Sequence, residues 1–135
     1  MIKFLLDTNI CIYIIKKKPV EVIKRLQSHE LSEIGISSIT LSELEYGVSK
    51  SLSIEQNKMA LAQFLAPIEI ISYDDLAADK YGSIRSNLEK SGTPIGPLDT
   101  LIGAHAMALD CILVTNNVRE FERIEGLKIE SWVMG

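Results

Sequence analysis

The stretch IKFLLDTN, residues 2–9, decides how the rest of the chain is read. A short run dominated by large apolar side chains is too brief for a helix and suits a strand buried on both faces. It runs straight into Asp7, which places an acid at the end of a rigid element. Similar runs recur at residues 34–38 (IGISS), 68–72 (IEIIS) and 111–115 (CILVT), with a weaker fifth at residues 127–130. Between them, residues 8–16, 20–28, 40–51, 54–65, 74–90 and 97–109 carry helical patterns. Several open on Ser, Thr, Asp or Pro, and Gly92 closes the long fifth one. Strands that are apolar on both faces and separated by helices predict an α/β fold, a parallel β-sheet flanked by helices on both faces. No repeat, low-complexity tract or Pro/Gly-rich linker interrupts the pattern, so residues 1–135 read as a single domain. In such sheets sites form at the carboxyl ends of the strands.

Composition bounds the function. The 135 residues suffice for one core, and 47% hydrophobic with 24% charged residues excludes disorder by low hydrophobicity. No apolar run approaches the ~20 residues that span a bilayer. Asp7 interrupts the first apolar run and no A-x-A-like cleavage site follows, which argues against a signal peptide and for a cytoplasmic location without membrane attachment. A net charge of −4 argues against a general nucleic-acid binder, although acidic metal ligands leave room for a nuclease with local basic residues. Cys11 and Cys111 form no C-x-x-C, sit among Ile, Leu and Val, and read as small buried hydrophobes. With only His29 and His105 present, a His/Cys-rich zinc site is disfavoured.

Four acidic or polar segments carry the chemistry. Asp7-Thr8-Asn9 follows the first strand, and Asp7 or Thr8 also suits a helix cap. Glu43 lies one turn into the third helix, where Thr40-Leu41-Ser42-Glu43 also fits a capping box. Asp99 follows Gly96-Pro97-Leu98 at the head of a helix whose Gly103, Ala104, Ala106 and Ala108 let it pack close to the sheet; an acid there also suits the helix dipole. Thr115, Asn116, Asn117, Arg119 and Glu120 gather after the fourth strand, where Asn-Asn is also a common turn. Each segment alone has an ordinary structural explanation. All four falling at strand ends or helix heads point instead to one acidic cluster for Mg²⁺ or Mn²⁺, hard cations that prefer oxygen ligands. Such an ion fixes a water for in-line attack on phosphorus and neutralises developing charge.

The set Leu6-Asp7-Thr8-Asn9, Ser38 to Glu43, Ile95-Gly96-Pro97-Leu98-Asp99 and Thr115-Asn116-Asn117 with Arg119-Glu120-Phe121 resembles the PIN-domain family, and more narrowly the VapC toxins. The likeness runs over essentially the whole chain, in order. It implies a PIN-like three-layer sheet and metal-dependent cleavage of RNA, with transfer RNA a plausible target. It also implies a homodimer, and neutralisation by a small VapB-like antitoxin whose tail puts a cation into the cleft. Carried over by position, Asp7, Glu43 and Asp99 match the family's acidic ligands. Asn117 departs from it, since many PIN domains have an acid there, and Glu120 is placed to compensate. Thr8, Asn9, Thr115 and Asn116 are expected to support the site.

Arg119 is the best candidate for RNA phosphate, because a guanidinium grips phosphate oxygens bidentately. Lys16-Lys17-Lys18 reads first as solvated charge at a helix end. His105, about 240° around its helix from Asp99, reads as an interior histidine rather than a catalytic one. Ile12, Ile15, Leu44 and Tyr46 are the apolar residues expected to receive the antitoxin. A haloacid-dehalogenase-like phosphatase is the enzymatic rival, but it needs D-x-D where this chain has Asn9 after Asp7. It also needs a Lys and an acidic pair, for which the stretch after Thr115 is short. A response-regulator receiver lacks its early acidic pair here. An idle PIN module that only binds RNA or a partner is opposed by the three retained acids.

Overall fold

The alternation of side chains along two short strands divides the protein into two cores. In β1 (Phe4–Leu6), Phe4 and Leu6 point into one and Leu5 into the other. In β4 (Ile112–Val114), Val114 joins the first and Leu113 the second. This is the period-2 signature of a strand covered on both faces. The first core is closed by α1 (Thr8–Lys16), α2 (Val20–Gln27), α3 (Ser38–Ser49) and α4 (Ile54–Leu65), which contribute Ile10, Cys11, Val22, Leu44 and Leu61. The second is closed by α5 (Asp75–Lys90), α6 (Pro97–Leu109) and the four-residue α7 (Val118–Phe121). The computed structural model describes residues 1–133. The strands and six of the helices fall where the sequence pattern places them, within a few residues at their ends. Two short pieces, α7 and a 3₁₀ turn at Leu31–Glu33, add to it.

The sheet is wholly parallel, in the order β3-β2-β1-β4-β5, with β2 (Ile34–Ser37), β3 (Glu69–Ile71) and β5 (Ile129–Glu130) completing it. From β1 the chain builds outward to β2 and β3 on one side, then crosses back to lay β4 on the other. Strand order therefore reverses between β1 and β4, and a crevice opens at the carboxyl ends of that pair. Their register sets Leu6 beside Val114, and the Asp7 N–H donates to Val114 O at 2.9 Å. Asp7 and Thr115 are thus the first residues past the sheet edge on adjacent strands.

Two glycines sit where an added Cβ would make neighbours shift. A Cβ on Gly35, in β2, would stand 2.9 Å from Ile71 Cδ1 and 3.1 Å from Glu69 O. One on Gly103, in α6, would stand 2.6 Å from Ile124 Cδ1. The slimness of α6 therefore serves its contact with the segment after α7, as well as with the sheet. Cys11 and Cys111 are buried and unpaired, and burial pushes both thiols up, so both are inert core residues. No helix among the described residues is long and apolar enough to cross a membrane.

Candidate active site

Asp7 is built into the crevice from three directions. It is the N-cap of α1, and its Oδ1 accepts the Thr8 N–H at 2.7 Å. Its Oδ2 accepts the Thr115 hydroxyl at 2.7 Å, and the Thr115 Oγ1 in turn accepts the Asn117 N–H at 2.9 Å. Asp7 is only 4% exposed. Burial raises its pKa, the bonds from Thr115 and Thr8 pull it back, and the field of Glu43 raises it again. Capping and membership of the cluster are therefore both true of this residue.

Glu43 is tied to the same strand end by the Thr8 hydroxyl, which donates to Glu43 Oε1 at 2.8 Å. The capping box expected for Thr40 and Glu43 is not formed. The helix begins two residues earlier, with Ser37 as N-cap accepting the Ile39 N–H at 3.0 Å. Thr40 is consequently inside the first turn, its hydroxyl buried without a partner. Glu43 is released from the cap and turned toward α1.

Asp99 sits in the first turn of α6 behind Pro97, half-buried, over Gly96, whose missing Cβ would lie 3.9 Å from Asp99 Oδ2. It accepts no hydrogen bond among the described residues. Its carboxyl is pushed up to about 6, first by burial, then by the fields of Asp7, Glu120 and Glu43. Four acids from four parts of the chain therefore act on one another across the crevice.

As the side chains stand, no three His, Cys, Asp or Glu residues among those described surround a single point closely enough to form a closed metal cage. Three of the four oxygens of Asp7 and Glu43 already accept protein donors. The donor set still fits a hard cation. It is all oxygen and carries excess negative charge. Mg²⁺ is typically held by one or two carboxylates and completes its shell with water.

The remaining candidates divide. Asn117 contributes its backbone N–H, while its side chain makes no capping bond; the second negative field on Asp99 after Asp7 comes from Glu120 in α7. Asn116 is exposed and donates to the Tyr13 hydroxyl at 3.0 Å, drawing in a residue of α1 that sequence reading did not single out. Asn9 and Arg119 are exposed and make no hydrogen bond or ion pair among the described residues. His105 is an interior residue as expected, 2% exposed, with Nδ1 2.8 Å from Ser37 Oγ. Lys16, Lys17 and Lys18 are exposed at the end of α1.

Beside Glu43 a groove of about 290 Å³ opens between α1, α3 and α4, with Ile12, Ile15, Leu44, Val48 and Leu61 along its walls. Tyr46, grouped with these residues by sequence, lies outside the groove and is 65% exposed, with Lys50 over its ring.

A parallel sheet with reversed strand order and a group of carboxylates at its switch point make this a small α/β protein with an acidic crevice. The chain belongs to the PIN-domain family, whose sequence model matches residues 4–127. It is 48% identical over 132 residues to the tRNA(fMet)-specific endonuclease VapC of Salmonella typhimurium, covering 98% of this chain and 99% of that protein. It is 43% identical over 133 residues to ribonuclease VapC2 of Haemophilus influenzae, covering 98% and 100%. Among solved structures, DNA-bound VapBC from Salmonella typhimurium superposes with a TM-score of 0.93 at 47% identity, covering 98% of this chain and all of that one. VapBC2 from Rickettsia felis bound to a promoter DNA fragment gives 0.91 at 45% identity, with 98% and 100% covered. The phosphatase alternative finds no support in these likenesses.

Proposed function

We propose that this protein is a Mg²⁺- or Mn²⁺-dependent endoribonuclease, the toxin of a toxin–antitoxin pair, acting in the cytoplasm on transfer RNA. One observation carries the chemical reading. The Asp99 carboxyl is held at about 6 by burial and by three other acids, with no Lys or Arg among the influences on it. Such a cluster is costly to fold and is relieved by a cation, so it argues for a bound ion rather than for structural capping. Asp7 and Asp99 would hold the ion, with Glu43 and Glu120 adding negative charge around it. When bound, the ion supplies Lewis acidity, a water of lowered pKa and neutralisation of charge at phosphorus.

The chain's own residues supply the rest. Thr8 and Thr115 fix the Asp7 oxygens, so this carboxylate is preorganised rather than free to rotate. Thr8 also holds Glu43 in place. Arg119, next to Glu120 in sequence, exposed and in no side-chain hydrogen bond or ion pair among the described residues, is available to an RNA phosphate. The choice of RNA follows the relatives. Two of them, from Salmonella typhimurium at 48% and Shigella flexneri at 46% identity, are named for cleavage of tRNA(fMet). Initiator tRNA is therefore the first substrate to test.

The solved relatives are toxin–antitoxin complexes, which supports a VapB-like partner. The apolar groove with Glu43 at its rim fits an amphipathic antitoxin segment that presents a cation to the carboxylates. Incubation of the purified chain with initiator tRNA should give discrete cleavage with Mg²⁺ or Mn²⁺ and none with EDTA, while a phosphate-monoester dye stays intact. Cleavage that persists in EDTA would remove the metal reading.

A further inference from the structure

Beneath the cluster lies a buried polar contact for which the proposed chemistry has no direct use. Ser37 and His105 are 0% and 2% exposed, and Ser37 Oγ stands 2.8 Å from His105 Nδ1. Ser37 Oγ also accepts the Ile39 N–H. With the Ile39 N–H already on Ser37 Oγ, the single hydroxyl proton of Ser37 can go to His105 Nδ1, which accepts it when the ring carries its proton on Nε2. Burial lowers the pKa of His105, against an opposing field from Asp74, which keeps the ring neutral at neutral pH. The neighbouring Ser38 Oγ accepts the Tyr73 N–H at 3.0 Å, and the Tyr73 ring meets His105 edge-on, 5.4 Å between centroids.

The contact joins two helices, each of which carries a site carboxylate. Ser37 heads α3 six residues before Glu43, and His105 lies in α6 six residues after Asp99. Six residues are about 9 Å along a helix axis, so a displacement at the contact is carried rigidly to each acid. Two apolar side chains would fill the same space without desolvation cost, but without a directional constraint.

We propose that the Ser37–His105 hydrogen bond is a positioning pair, which locks α6 against the head of α3 and so sets where Asp99 stands relative to Glu43 and Asp7. This rests on the reading of that cluster as the ion-binding catalytic site. Supporting contacts behind metal ligands are worth roughly 10- to 100-fold in affinity or activity, and misplacement by ~1 Å can cost ~10²-fold in rate.

The test uses His105→Leu, His105→Asn, Ser37→Ala and the double variant Ser37→Ala/His105→Leu. Mn²⁺ affinity is measured by calorimetry, RNA cleavage as separate kcat and KM, and folding by circular dichroism. His105→Leu and Ser37→Ala should each lose at least ~10-fold in Mn²⁺ affinity and kcat with KM for RNA little changed. The double variant should be no worse than the poorer single one, because both remove the same bond. His105→Asn, which can place an amide oxygen near the Nδ1 position, should recover most of the loss. If His105→Leu fails to fold, Ser37→Ala carries the same comparison. Folded single variants with wild-type Mn²⁺ affinity and kcat would overturn the proposal, as would losses that multiply in the double variant. A wild-type protein that binds no Mn²⁺ and cuts no RNA would instead sink the reading of the cluster, and the positioning role with it.

Discussion

Asp7 and Asp99 occupy equivalent places, each at the head of a helix on the carboxyl side of one sheet, and the fold treats them in opposite ways. Asp7 is almost fully buried and accepts bonds from Thr8 and Thr115. Asp99 is less buried, accepts none among the described residues, and is pushed up to about 6. The bonds to Asp7 stabilise its charged form and offset part of what burial takes away. At Asp99 no hydrogen bond among the described residues does so. The first acid belongs to the framework as much as to the chemistry; the second is kept at a cost to the fold.

The largest effect should be on cleavage. Asp99→Asn and Asp7→Asn are each expected to lose about 10²- to 10³-fold in kcat on RNA, the scale of groups aimed at developing charge. Retained cleavage in either variant would break the pairing of the two acids at one ion. Next, Mg²⁺ at ~100 times its dissociation constant should stabilise the wild-type fold by about 2.7 kcal/mol and Asp99→Asn by much less, read from thermal melts.

Stability without metal separates the two sites more finely. In EDTA, Asp7→Ala removes an N-cap and should cost roughly 0.5–2 kcal/mol. Asp99→Ala should cost nothing at pH 7–8 and should gain. The sign follows from the raised carboxyl, at about 6 when folded against 3.8 as the ordinary value. Above about 6 the folded protein bears the full penalty of the charge, and the penalty fades as pH falls toward 3.8. The advantage of Asp99→Ala over wild type should therefore shrink between those two values. An Asp99→Ala protein less stable than wild type at pH 8 would mean that the acid is structural. The smallest effect is expected from Thr115→Val, which removes a bond that lowers the Asp7 pKa. The acidic limb of its pH–rate profile should move to higher pH.

How much of this was legible in sequence depends on whether the deciding contact is local. Strands between helices, the Asp7 cap and Pro97 at the start of α6 are all signalled within a few residues, and they fall where the pattern puts them. The start of α3 is ambiguous in sequence because Ser37, Ser38 and Thr40 offer competing hydroxyls, and Thr40 with Glu43 completes a familiar motif. What overrides it is the hydroxyl of Thr8, 35 residues away, which takes the Glu43 carboxylate. The role of Glu120 depends on α7, a helix of four residues too short to show periodicity. The Ser37–His105 bond spans 68 residues and has no local signal, so His105 could be read only as interior.

The most direct test is an NMR titration of the Asp99 side-chain carboxyl, first in EDTA and then in saturating Mg²⁺. The account predicts a midpoint near 6 without metal and a clear drop when Mg²⁺ is added, because the cation supplies the charge that the fold withholds. A midpoint near the ordinary 3.8 that does not respond to Mg²⁺ would contradict it.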